Sequence, residues 1–112
     1  MESIRQNKIS RLLQKELAEI FQYQHNDLFN GKMITVTVVR VSADLSIARV
    51  YLSIFPFKKE EKYLEYINRQ AGFMRRQLGN KVRHQLRIIP ELVFFLDDSI
   101  DYTDRIDELL KH

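Results

Sequence analysis

The apolar residues recur at two periods, and the switches between them divide the chain into elements. From Ser3 to about Tyr23, Ile9, Leu12, Leu13, Leu17 and Ile20 keep helical spacing with no Gly or Pro among them, which predicts an amphipathic helix. Asn26, Asn30 and Gly31 then mark a turn. Met33 to Val41, MITVTVVRV, is dense in β-branched residues, and Ala48 to Phe55 alternates with Ala48, Val50, Leu52 and Ile54 on one face, so both read as strands. The short polar segment SADLS, Ser42 to Ser46, joins them as an antiparallel hairpin that Pro56 closes. Glu60 to Leu86 is helical in period, with Leu64, Ile67, Ala71, Met74, Leu78 and Val82 on one side. Leu92 to Leu96 is apolar on both faces, as a partly buried third strand is, and the helices before it allow a crossover that lays it parallel to one of the others. Thr103 can cap a short acidic last helix at about 103–111, with Ile106, Leu109 and Leu110 as its apolar face.

The second helical stretch is too long for one rod. Its roughly 27 residues would run about 40 Å, against a diameter of roughly 34 Å for a domain of this length. A bend is expected at Gly72 or at the Gly79-Asn80 pair, because each glycine costs about 1 kcal/mol relative to alanine inside a helix. The expected order is helix, strand, strand, helix, kink, helix, strand. That makes one α+β domain over 1–112, with a three-stranded sheet covered by helices on one face, the order of a type II KH-like domain.

Composition narrows the class only a little. With 112 residues, 45% of them hydrophobic, the chain can build one modest core. No apolar run approaches the roughly 20 residues of a membrane helix, and the absence of cysteine excludes disulfides, thiolate metal sites and a cysteine nucleophile. A cytoplasmic protein with no membrane association is expected.

Charge changes the picture more. The net charge of +3 conceals 16 basic and 8 acidic residues up to Pro90, against 2 basic and 7 acidic from Glu91 onward. Asn68 to Arg87, NRQAGFMRRQLGNKVRHQLR, holds six basic residues and no acidic one. Arg69, Phe73, Arg76, Asn80, Arg83 and Arg87 follow at steps of three and four, so a helix would stack them as a basic stripe opposite its apolar side, with Arg75 and Lys81 as flanking cations. Arg83 and Arg87, like charges at i,i+4, favour an external anion as the compensating partner. Lys8, Arg11 and Lys15 form a second, weaker row on the first helix, for which a solvated face is explanation enough. Phe73 could stack on a base, though a ring buried beside the bend is the plainer expectation. Tyr51 and Phe55 share the non-core face of the second strand with Arg49, where RNA contact and cross-strand packing explain them equally.

Chemistry beyond binding has little support. His25, His84 and His112 have no ligand spacing, and Asp97, Asp98, Asp101 and Asp104 lack the glycine and spacing of a calcium loop, so neither metal nor cofactor is expected. The chain is not expected to be an enzyme. Two classes remain, an RNA-binding factor and a protein-interaction module docking an acidic partner through the basic face.

Three stretches carry a resemblance: KISRLLQKELAEIF, the hairpin TVTVVRVSADLSIARVYLSI, and GFMRRQLGNKVRHQLRIIPELVFFLDDS followed by RIDELL. Together they resemble the ribosome-binding factor A family over nearly the whole chain. The resemblance implies a KH-like fold in which the nucleotide-clamping Gly-x-x-Gly loop is replaced by an Ala-x-Gly kink. The glycines here, Gly31, Gly72 and Gly79, are nowhere three apart, and the kink reads Gln70-Ala71-Gly72 with Gln70 at the family's alanine position. The implied function is maturation of the small (30S) ribosomal subunit: a monomer binding immature particles through 16S rRNA, beside other assembly factors, and assisting 5′-end precursor rRNA processing and late folding, above all in the cold.

Overall fold

The computed structural model describes residues 3–56 and 62–97. Helix α1 spans Ile4–Tyr23 and starts at a capping box: the Ser3 hydroxyl accepts from the Gln6 N–H at 3.1 Å, while the Gln6 side chain accepts from the Ser3 N–H at 2.9 Å. Its buried positions are Ile9, Ser10, Leu13, Leu17, Ile20 and Phe21, the expected stripe with Ser10 and Phe21 added and Leu12 only partly buried. Asn30 and Gly31 turn the chain with φ of 58° and 73°. Gly31 meets that left-handed requirement without a Cβ penalty.

Strand β1, Met33–Val41, pairs antiparallel with β2, Ile47–Phe55. Strand β3, Glu91–Leu96, runs parallel to β2 on its other side, so the order is β1-β2-β3. The register shifts between Val36 and Val38, where an extra residue, Thr37, bulges β1. The hairpin turn places Leu45 at φ 63°, unusual for a branched residue. It is held by the Ser42 hydroxyl, which donates to Asp44 at 2.7 Å and accepts the N–H groups of Ser46 and Ile47, each at 3.1 Å.

Helices α2, Tyr63–Arg69, and α3, Ala71–Val82, complete the order expected from the sequence. Val36, Val39 and Val41 of β1, Ala48, Val50, Leu52 and Ile54 of β2, and Leu92 and Phe94 of β3 are buried with Ile67, Met74, Leu78 and Val82 of the helices. Burying each such side chain contributes roughly 1.5–3 kcal/mol. The fold is KH-like, with the helices against one face of the sheet and the other face open. The expected last helix at about 103–111, with its Thr103 cap, lies outside the described residues.

Asn68 ties the helices to the sheet. Its side-chain amide donates to the Phe94 carbonyl at 3.0 Å and accepts the Phe94 N–H at 2.8 Å, satisfying one residue of the β3 edge as a further strand would.

Candidate nucleic-acid interface

An arginine or lysine can hold a phosphate only with donors and charge that the protein has not already engaged. The cations of α2 and α3 divide on that criterion. The side chains of Arg69, Arg76 and Arg83 are exposed and make no hydrogen bond or ion pair with the described residues. Arg75 instead donates twice to the Ile89 carbonyl, from Nε at 3.1 Å and Nη2 at 2.8 Å, and so clips the segment before β3 onto α3. Lys81 pairs with Glu19 at 3.2 Å and Glu16 at 3.7 Å, joining α3 to α1. These two residues, grouped by sequence with the stripe, hold its scaffold.

The two helices meet at one residue. Gln70, at φ −90° and ψ 4°, leaves the helical region, donates its N–H to the Ile67 carbonyl at 2.9 Å and accepts the Met74 N–H at 2.9 Å. Arg69 thus ends one rod, whereas Arg76 and Arg83 lie along the next. The break falls on the first residue of the expected Gln70-Ala71-Gly72 kink, ahead of the glycines whose propensity suggested a bend. Gly72 sits in the first turn of α3, where an added Cβ would meet nothing within 4 Å, and the Gly79-Asn80 pair lies within the unbroken helix. Phe73, just after the break, is half-buried against the core.

Arg87 departs from the stripe expected of a continuous helix. The helix ends at Val82, whose carbonyl accepts both the Gln85 N–H at 2.8 Å and the Leu86 N–H at 3.0 Å, turning Leu86 back onto the core. Pro90 further on also disfavours a helical approach to β3. Arg87 is exposed in the resulting loop and has left the helical register.

The row on α1 does not merge with the stripe. Lys8, Arg11 and Lys15 are exposed, but Glu16 and Glu19, paired with Lys81, stand on the flank of α1 that faces α3. Arg11 lines a cleft on the opposite flank, shared with Arg40 of β1. Sequence periodicity missed this grouping, since counting outward from the five-residue SADLS turn pairs Arg40 with Ala48, whereas the strands pair it with Arg49. It also missed the role of Asn68, which no local pattern signals. Among the described residues no group of three or more His, Cys, Asp or Glu side chains could hold a metal ion, and no helix is long and apolar enough to cross a membrane.

The arrangement offers exposed cations on two helices in place of a loop whose backbone could clamp a strand. Such a surface neutralises phosphates and reads the shape of a folded RNA. The family model described as Ribosome-binding factor A matches residues 5–110. A ribosome-binding factor A from Cytophaga hutchinsonii is 44% identical over 98% of this chain and 83% of its own length. The crystal structure of ribosome-binding factor A from Thermus thermophilus superposes with a TM-score of 0.66 at 29% identity, covering 81% of this chain and 94% of that one. A homology model of the Thermus thermophilus protein, fitted into a cryo-EM map of a 30S complex, gives a TM-score of 0.63 at 29% identity, covering 80% of this chain and 91% of that one.

Proposed function

The chain belongs to the ribosome-binding factor A family, and from that premise we propose that it binds immature small ribosomal subunits and assists their final maturation. One observation carries the reading. Arg69, Arg76 and Arg83 are exposed and unpaired among the described residues, in a stretch with no acidic residue from Tyr66 to Pro90. Their partner in this reading is the phosphate backbone of folded 16S precursor rRNA, with Arg87 and the α1 cations Lys8 and Lys15 at the margin. The Thermus thermophilus relative fitted into a 30S complex supports the same partner. The protein acts as a cytoplasmic monomer of one KH-like domain, without catalysis of its own, aiding 5′-end processing and late RNA folding where cold traps misfolded helices.

The test is cosedimentation with immature small subunits. Reversing Arg69, Arg76 and Arg83 to Glu abolishes it while leaving the circular dichroism spectrum and melting transition in place. Undiminished binding of that variant would remove the stripe from the interface. Salt distinguishes an acidic protein partner, because duplex phosphate contacts lower log K by about 0.9 per neutralised phosphate for each log unit of salt.

A further inference from the structure

The face of the sheet turned away from the helices carries its own ordered chemistry. Strand register sets Val38, Tyr51 and Phe95 in one row and Arg40, Arg49 and Val93 in the next. The rings of Tyr51 and Phe95 lie nearly parallel, with centroids 5.5 Å apart and 26° between their planes, and Phe95 is 37% exposed. Packing between neighbouring strands accounts for the ring pair alone. It does not account for Arg40 directly opposite Arg49, since like charges facing each other across an antiparallel ladder are destabilising. Both are exposed, neither has a partner among the described residues, and the β3 residue in their row is a valine. No counterpart stands among the described residues, and an external anion would supply one.

A cleft of about 350 Å³ continues this face past the β1 edge, where α1 packs beside the strand. Arg11 and Arg40 both line it, so Arg40 belongs to the cleft and to the arginine row at once. Ser10 also lines it, only 7% exposed, and its hydroxyl is buried without a hydrogen-bond partner. A buried hydroxyl left unsatisfied is costly, so the cleft floor carries an unused donor beneath its cations.

We propose that the open sheet face and this cleft form a second RNA surface, for unpaired nucleotides: Tyr51 and Phe95 stack a base, while Arg40, Arg49 and Arg11 take the adjoining phosphates. A base can lie on a ring only after leaving its helix, so this surface selects single strands where the helical stripe meets folded backbone. An acidic peptide would satisfy the arginines without using the rings. A second copy of the same face would set arginine rows against each other. The proposal rests on RNA being the partner, and it is tested apart from the stripe.

The experiment titrates the full chain against a fluorescently labelled single-stranded RNA of about ten nucleotides and follows anisotropy, with melting temperature measured on each variant. The wild-type protein binds, with log K falling about 0.7 per neutralised phosphate for each log unit of salt. Arg49→Glu places an acid opposite Arg40, so it raises the melting temperature and yet weakens binding about tenfold or more. A merely structural arginine would not move the two readouts in opposite directions. Phe95→Leu weakens binding by about fivefold or more without changing the salt slope. The Arg69, Arg76 and Arg83 reversal keeps single-strand affinity while losing immature subunits, so the two surfaces fail separately. The proposal is overturned if the wild-type chain does not bind the strand, if Arg49→Glu binds it undiminished, if an acidic peptide of equal charge competes equally, or if sedimentation shows the face occupied by a second copy.

Discussion

Arg76 on α3 and Arg49 on β2 are both exposed arginines without an internal partner among the described residues, yet the chain arrives at them by different routes. Arg76 belongs to a row set by helical period, where cations three and four residues apart line one side and the opposite side packs on the sheet. Arg49 owes its setting to pairing between strands, which places Arg40 across the ladder and the Tyr51–Phe95 rings in the next row. The helical surface presents charge without accessible rings, Phe73 being half-buried against the core. The sheet surface presents charge beside rings. In the proposed readings identical cations therefore meet different RNA: folded backbone in one place, unstacked bases in the other.

The contrast can be broken at the joint between the two surfaces. Asn68→Ala removes both hydrogen bonds to Phe94, whose backbone is left unsatisfied beside a side chain only 1% exposed. A loss of about 1–3 kcal/mol in urea unfolding is expected, with both RNA activities weakened together because α2 no longer registers on β3. Loss of one activity alone would show that Asn68 does not couple the faces.

Gly72→Ala sharpens the contrast by touching only the helical side. A Cβ there meets nothing within 4 Å and the break lies at Gln70, so the substitution is expected to stabilise by about 0.4–1 kcal/mol while leaving subunit and single-strand binding unchanged. A lower melting temperature would show that the kink does require glycine at this position.

The smallest effect belongs to the turn at the end of the sheet surface. Hydrogen bonds from the Ser42 and Ser46 side chains lower the Asp44 carboxyl from its ordinary 3.8 to about 2. Because the folded value is the lower one, Asp44 contributes stability that is complete above about pH 4 and lost as pH falls toward 2. Wild type should therefore lose stability relative to Asp44→Asn across that window in pH-dependent melting. Parallel profiles would show that the carboxylate does not hold the turn.

Much of the framework was legible because its signals are local. The alternation of β1 and β2 and the stripe of α1 each follow from side-chain direction within one element, and β1 begins and ends at Met33 and Val41 as the run of β-branched residues indicated. The kink was expected because a single rod would outgrow a domain of this length, although the molecule's longest axis, 49 Å, leaves room for one. Its place was legible from the resemblance, which put it in Gln70-Ala71-Gly72, and the chain breaks at Gln70, two residues before the glycine that propensity alone favoured. Arg75 and Lys81 show the same limit within the candidate site. By type and spacing they match Arg76 and Arg83, and only Ile89 and the pair Glu16 and Glu19, distant in sequence, divide them into scaffold and free charge.

The element types, their order, most of the buried positions and the concentration of positive charge follow from the amino-acid order alone, since each depends on residues near one another along the chain. Three outcomes waited on the folded arrangement: which cations remain free, that Asn68 holds the β3 edge, and that Arg40 stands opposite Arg49 while sharing a cleft with Arg11. They depend on strand register and helix packing, which join residues far apart in the chain and leave no period in it.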